Sequence, residues 1–454
     1  MSAKDKQVLD EVEKILAKFE LKIQDYEQIM HSILQSMNNG LTKSHRDSSS
    51  IKMYPSFVVE IPNGTEKGRY LALDLGGTNY RILVVEMTGH KNEISVDERV
   101  FTIPKDKMLG TAESLFSYIA ETLKDFLVKY NLQKEELQLG FTFSFPCQKS
   151  NLLYARLVKW TKGFSATGVV NENVAELLQK AIDKTGLKVK LRGVVNDAVG
   201  TLTACSLSDS KCTIGLIIGT GTNVAYVERI ENIELIKDDY RDKENMIINT
   251  EWGAFGEKGE LNHILTEYDR TLDANSLNPG HHVYEKLCSG MNLGEICRYV
   301  FLNLIDRNLL FDGVIPEIFK KPQGFDTKFI TEAERDPPKL YYSTSYMLTE
   351  YLNVQVVQLL DSKVVRMVCE MVSTRAAYLI GAGISALLHK IKRKNVTIGI
   401  DGSLYKFHPK FGERMMFIID KLKPKETEFN LRLSEDGSGK GAAAIVAALD
   451  RQKQ

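Results

Sequence analysis

The chain has 454 residues, with 59 basic and 59 acidic side chains, a formal charge of zero, and 43% hydrophobic and 26% charged residues. That length implies two or more folded units, and the charge balance gives no support to a nucleic-acid or membrane-surface binder. Six cysteines with no CxxC pair exclude a zinc-ribbon pattern and a disulfide framework, and fit reduced thiols in a cytosolic protein. The first residues, MSAKDKQVLDEVEK, lack the apolar core of a secretory signal. No uninterrupted apolar run reaches the ~18 residues of a bilayer span. From Val8 through Val12, Ile15, Phe19, Ile23, Tyr26, Met30 and Ile33 to Met37, apolar residues recur three or four apart. This spacing predicts a core-facing helix over 8–37, broken once. NNGLTKSHRDSSS (38–50) has a loop composition. Consecutive strands are predicted over 69–103, opening with LALDLGGTNYRILVVE (Leu71 to Glu86). There Gly76-Gly77 supply a turn conformation that residues with a Cβ avoid. Helices are predicted over 111–130 and 171–185, and strands over 137–145 and 189–195. CTIGLIIGTGTNVAYVE (212–228) repeats the opening pattern of apolar run, Gly-Thr turn, Asn and apolar run. Residues 281–311 and 345–392 are mainly helical in pattern, VTIGID (396–401) is a strand, and GKGAAAIVAAL (439–449) a closing helix. The echo between the hairpins implies two related α/β halves of βββαβα order, with a ligand cleft between them.

Asp74 lies inside an apolar run, two residues before its glycines. A carboxylate held there needs a partner, and a bound cation is one candidate. Gly76, Gly77 and Thr78, and Gly219, Thr220, Gly221 and Thr222, offer backbone N–H groups and hydroxyls of the kind that cradle phosphates. A hairpin turn explains either set alone equally well. Two such turns beside an acid suit one nucleotide whose phosphates carry Mg²⁺. SEDGSGKGAA is not a P-loop, because Ser434 stands five residues before Gly439 and Gly441 follows Lys440. A glycine turn entering a helix still suits a nucleotide, with Gly437, Ser438 and Gly439 as candidates. The polar stretches TFSFPCQ (Ser144), KWTKGF (Thr161, Lys162), VVNDAVGT (Asn196, Asp197), INTEWGAFG (Glu251) and HVYEKLCSGMNLGE (Glu285) are each ordinary alone. Together they provide the carboxylates, amides and hydroxyls that a closed site needs for the vicinal hydroxyls of a sugar.

LALDLGGTNYR, LGFTFSFPCQ, LVKWTKGF, VVNDAVGT, GLIIGTGTNVAYVE, INTEWGAFG, GSLYKFHP and SEDGSGKGAAAI resemble the eukaryotic hexokinases, in the family's order, from about residue 15 to 450. Departures are mild: Tyr80 where Phe is usual, Ala198 where Thr is usual, and Val-Ala after Asn223. The length is that of a single unit, and the SFPCQ form is closer to hexokinases than to the liver-type glucokinase. The resemblance implies an α/β, two-domain actin-like ATPase (ribonuclease H-like) fold with a sugar and nucleotide cleft between its lobes. The division expected is 1–64 as a helical part of the large domain, 65–200 as the small domain and 201–440 as the large domain. Residues 441–454 would be a helix returning to the small domain. It implies ATP-dependent phosphorylation of D-glucose and related hexoses at the 6-hydroxyl, the first step of glycolysis, with domain closure on the sugar. By resemblance, Asp197 is the general base and Lys162 a second catalytic group. Ser144, Thr161, Lys162, Asn196, Asp197, Asn223, Glu251 and Glu285 hold the sugar. Asp74, Gly76, Gly77, Thr78, Asn79, Gly219, Thr220, Gly221, Gly402, Ser403, Gly437 and Ser438 line the nucleotide. Mg²⁺ is held mainly by the ATP phosphates, with Asp74 and Asp197 acting through water. Glucose 6-phosphate is the expected inhibitor, in an allosteric, monomeric, cytoplasmic enzyme without nucleic-acid or membrane partners. An actin-like ATPase or chaperone would share the glycine turns without needing Ser144, Thr161-Lys162, Glu251 and Glu285 together. A silent sugar sensor would be expected to have lost Asp197 or a glycine turn.

Overall fold

The computed structural model describes residues 3–77, 79–91, 93–236, 238–434 and 437–451. Thirteen strands are present among them: β1 Tyr54–Pro55, β2 Lys67–Leu75, β3 Asn79–Thr88, β4 Ile94–Thr102, β5 Leu137–Phe143, β6 Cys147–Asn151, β7 Tyr154–Leu157, β8 Val189–Val195, β9 Cys212–Ile218, β10 Thr222–Arg229, β11 Asn245–Asn249, β12 Asn395–Asp401 and β13 Glu428–Leu433. A five-stranded sheet has the order β4-β3-β2-β5-β8, and a six-stranded sheet the order β1-β11-β10-β9-β12-β13. Apart from β1, each sheet reads third-second-first-fourth-fifth in chain order. In each, the first three strands form an antiparallel meander, and the fourth and fifth add in parallel. The duplication suggested by the two glycine hairpins therefore extends to whole sheets. Helices make the crossovers that parallel strands require. They are Ala112–Lys129 and Val174–Lys184 in the small lobe, and Leu359–Ile391 and Phe411–Leu422 in the large one. Thr111 and Asn173 cap the first two by accepting from backbone amides of the first turn.

Both faces of the small sheet are covered over its inner strands, so β2, β3 and β5 are apolar on both sides, while the edge strand β4 is largely exposed. Leu71, Leu73 and Leu75 face a core shared with Leu115, Phe116 and Leu123 of the first crossover helix. Tyr70 and Ala72 face the opposite way, into a second core with Ala225, Val227 and Ile247 of the large sheet. Asp74 is two residues from Ala72, so strand alternation turns it toward that second, inter-lobe face. Two helices fill this layer: Asp197–Ser208, which follows β8, and Gly437–Arg451, which follows β13. They cross at glycines. A Cβ on Gly200 would stand 2.6 Å from the Ser438 carbonyl oxygen, and one on Gly441 would collide with the backbone of Gly200. The alanines Ala442, Ala443 and Ala444 then seat the second helix against the small sheet.

The N-terminal stretch forms helices Ala3–Leu16 and Ile23–Gly40, separated at a short 3₁₀ turn, which is the single break that the spacing predicted. Two expectations change. Neither Gly76 nor Gly77 has a positive φ, and a Cβ on either would meet nothing within 4 Å. Their bareness leaves an open surface rather than permitting a special backbone. Second, one helix among the described residues, Leu359–Ile391, is long and apolar enough to cross a membrane. Of its most apolar window, 83% is buried inside the protein, and its Arg375 forms a fully buried, two-pronged ion pair with Asp269 at 2.6 and 2.7 Å. It is the core helix of the large lobe. All six cysteines are free.

Candidate active site

The polar residues of the cleft come from strand ends and helix starts, where side chains reach past their own sheet. Ser144 directly follows β5, and its amide donates to the Leu75 carbonyl at 3.1 Å. Its hydroxyl is buried without a partner, which suits a ligand rather than a folded core. Lys162 adopts φ 56°. Its ammonium donates to the Ser144 carbonyl at 3.0 Å and stands 5.5 Å from the Phe145 ring centre. Phe143, Phe145, Trp160 and Phe164 pack together beneath that loop, with Thr161 half-buried beside them.

Asn196 caps the helix Asp197–Ser208 by accepting from the Ala198 amide at 2.9 Å. Asp197 is therefore the first residue of that helix, where the backbone dipole favours a carboxylate, and its Oδ1 also accepts from the Ala198 amide at 2.9 Å. On the large lobe, Asn223 of β10 donates to Asn249 at 2.9 Å, to Glu251 at 3.1 Å and to Asn196 at 3.3 Å. Asn249 in turn donates to Glu251 at 2.7 Å. Glu251 sits at φ 52° and its amide donates back to the Asn223 side chain at 3.1 Å. Glu285, on the short helix Val283–Cys288, accepts from the Thr222 amide at 2.9 Å.

The charges in this space act on one another. Burial pushes Glu285 up to about 7, opposed by the Thr222 amide and Lys162 and reinforced by Glu251 and Asp197. Burial also raises Glu251; the amides of Asn249 and Asn223 and the charge of Lys162 offset part of the shift, while Asp197 adds to it. An acidic pocket of this kind is unfavourable when empty and is relieved by hydroxyl donors, which a sugar supplies. The structure thus brings Asn196, Asn223 and Glu251 into one hydrogen-bonded set, links Ser144 to Lys162, and places Asp197, Lys162 and Glu285 within electrostatic reach of Glu251. Asn249 was missed by sequence reasoning. Its signal was available in INTEWG, a lone amide in an apolar strand two residues before the acid.

The twelve residues expected around the nucleotide fall into two groups. Gly219, Thr220 and Ser403 line a pocket of about 570 Å³. The turn is held there by the amides of Gly290 and Met291, which donate to the carbonyls of Gly219 and Thr220 at 2.8 and 3.1 Å. Gly402 has φ 130°, and a Cβ on it would strike the Ile218 carbonyl. A Cβ on Gly221 would stand 2.5 Å from the Glu285 carboxylate, so the turn and Glu285 touch. Lys328, Thr331 and Arg335 also line this pocket; their stretch carries no pattern that sequence reasoning could have used.

The second group gathers on the small lobe and corrects the first reading of Asp74. Its carboxylate accepts from Arg81 at 2.7 Å and from Ser438 at 2.6 Å, and Arg81 also donates to Ser438 at 3.1 Å. Arg81 stands directly opposite Asp74 in the β2–β3 register. The cation that the buried acid needed is a guanidinium from its own hairpin. Asn79 is turned to the sheet edge, where it accepts from the Thr102 hydroxyl at 2.8 Å. Gly437 and Ser438 open the helix Gly437–Arg451, while Thr78 lies outside the described residues. No group of three or more His, Cys, Asp and Glu side chains among the described residues could hold a metal. With Asp74 paired to Arg81, this donor set suits a cation that arrives on a polyphosphate rather than one caged by the protein. Two larger grooves, of about 820 and 1070 Å³, lie away from all of these groups.

A duplicated βββαβα architecture, two crossed helices between its sheets, and a cleft joining a glycine-turn pocket to an acid–amide cluster define the two-domain, actin-like ATPase class. Within that class, residues 11–207 and 213–448 match two family models, each described as hexokinase. The hexokinase of Schistosoma mansoni is 54% identical over 99% of this chain and 99% of its own length. The solved structure of a Schistosoma mansoni hexokinase complexed with glucose superposes with a TM-score of 0.90, covering 98% of this chain and 99% of that one. Hexokinase-1 of Rattus norvegicus is 41% identical over 96% of this chain, which spans 48% of that relative's length. The chain belongs to the eukaryotic hexokinase family of enzymes and spans one hexokinase unit.

Proposed function

We propose that the enzyme transfers the γ-phosphoryl group of ATP to the 6-hydroxyl of D-glucose and related hexoses, at the entry to glycolysis. The observation that carries this reading is the Asn196–Asn223–Asn249–Glu251 set beside Asp197, with the unpartnered Ser144 hydroxyl nearby. Glu251 and Glu285 accept sugar hydroxyls, and the amides and Ser144 complete their pairing. Asp197 takes the O6 proton as O6 attacks the γ-phosphorus and the bond to the bridging oxygen breaks, leaving ADP. Lys162 adds positive charge where the transferring group passes. Mg²⁺, bound to the ATP phosphates as part of the substrate, neutralises their charge. Gly219, Thr220, Gly402 and Ser403 line the nucleotide pocket, and the open face at Gly76-Gly77 admits the phosphates.

Water is the competing nucleophile, so the site must exclude it before transfer. A small lobe at 65–200, closing on a large lobe at 201–440, accounts for that exclusion. Glucose 6-phosphate is expected to inhibit by occupying the sugar site with its phosphate in the γ-phosphate position. A monomeric, cytoplasmic enzyme completes the reading. The deciding experiment is a coupled assay of ATP consumption with each of several hexoses, repeated with Asp197→Ala. Consumption independent of the sugar, or undiminished in the variant, would reject the assignment.

A further inference from the structure

Beneath the acid–amide cluster the side chain of Lys149 bridges the two sheets. Lys149 lies on β6, in the hairpin that separates Ser144 from Thr161 and Lys162. Its ammonium donates to the carbonyl of Val194 at 2.6 Å and to that of Ser56 at 3.0 Å. Val194 belongs to β8 of the five-stranded sheet, three residues before Asp197. Ser56 follows β1 of the six-stranded sheet, and its own amide donates to the Ile247 carbonyl at 3.0 Å. The two acceptors thus come from different sheets, and among the described residues no carboxylate pairs with this lysine. Burial lowers its ammonium to about 8. Holding a cation there without a counter-ion is costly, so a neutral side chain would serve better if filling space were the only need. A cavity of about 40 Å³ is lined by Lys149 and Ser56 together with Asn196 and Glu251.

We propose that Lys149 is a positioning residue for the sugar site. It clamps β8, and through it Asn196 and Asp197, to the edge of the large sheet, and so sets the geometry in which both lobes grip the sugar. This inference rests on the phosphoryl-transfer reading above. Lys149 touches no reacting group; its effect passes through the backbone of Val194 and the cap at Asn196. With the clamp gone, the two halves of the sugar site lose their common frame, and the ordering cost is met at sugar binding. Removing it should therefore weaken sugar binding more than the chemical step or nucleotide binding.

The test uses the full chain with Lys149→Met and Lys149→Arg, reading kcat, both KM values, calorimetric glucose affinity and the thermal midpoint. Losing the two charge-assisted bonds should raise the glucose KM and Kd ~10-fold in Lys149→Met, with kcat and the ATP KM within about threefold of wild type. Lys149→Arg should restore most of the sugar affinity. A glucose Kd within about twofold of wild type, a lower thermal midpoint with both KM values unchanged, or an arginine variant no better than methionine would each overturn the proposal. If Lys149→Met does not fold, Lys149→Gln, whose amide reaches one carbonyl, carries the same comparison. An active wild type with an unaffected variant rejects the clamp alone. A wild type without glucose-dependent turnover rejects the assigned reaction and the clamp with it.

Discussion

Replacing Glu285 by glutamine should stabilise the sugar-free protein while weakening its hold on glucose. The carboxyl group titrates at about 7 against an ordinary value of 4.5, with burial as the main cause. Because the folded-state value is raised, the folded protein binds this proton more tightly than the unfolded chain. Its contribution to stability is most favourable below pH 4.5 and declines as pH rises to about 7, above which the full cost is present. The gap between the two values sets an upper bound of about 3 kcal/mol. Since 29% of the side chain is open to solvent, about 1–2 kcal/mol is the expected cost at pH 8. Glutamine keeps an acceptor for the Thr222 amide but carries no charge beside Glu251 and Asp197. The apo variant should therefore melt ~2–4 °C higher than wild type at pH 8, with the difference closing toward pH 5. A sugar hydroxyl bonded to a carboxylate is worth about 1.5–3 kcal/mol, so the glucose KM should rise roughly 10- to 100-fold. In wild type, Glu285 gains its charge as pH rises through about 7, so the glucose KM should fall between pH 6 and pH 8. Scanning calorimetry of the apo proteins and initial rates from pH 5.5 to 8.5 would measure both effects. A variant that is less stable at pH 8, or a stability difference that does not change with pH, would refute this account of Glu285.

Asp197→Ala should lower kcat by about 10²–10⁴, with glucose affinity within roughly tenfold of wild type, because the proton moves only during transfer; stopped-rate assays and calorimetry separate the two quantities. Glucose should change tryptophan emission through Trp160 alone. Trp252 is 0% exposed and donates to the Thr222 hydroxyl at 3.2 Å, so closure cannot alter its hydration, whereas Trp160 is half-buried against Phe164. Trp160→Phe should abolish the signal, and a signal that persists would place the moving surface elsewhere. Glucose 6-phosphate should inhibit competitively with ATP, since two phosphates cannot share the γ-phosphate position without charge repulsion. Initial rates at fixed glucose with varied ATP test this, and no inhibition at millimolar product would remove the shared phosphate position.

Much of this protein follows from local chemistry. Apolar alternation and glycine turns located both hairpins, and helical spacing located the N-terminal helix pair, because strand and helix periods depend on neighbouring residues alone. The polar residues of the cleft stood out for the same reason. Asn196, Asp197, Asn223 and Glu251 interrupt apolar runs where a core would not retain them. Which group answers which was a matter of tertiary structure. Asp74 called for a cation, but only the β2–β3 register set Arg81 opposite it, and only the return of the C-terminal helix brought Ser438 within 2.6 Å. Asn249 joined Asn223 and Glu251 because β10 and β11 pair side by side. Trp252, adjacent to Glu251 in sequence, turned into the large-lobe core while its neighbour faced the cleft. Lys149 carries no motif, and its two acceptors lie 93 and 45 residues away in the chain. Local sequence sets the conformation and chemical type of each segment, whereas hydrogen-bond partners are chosen by how distant segments pack, which no short stretch encodes.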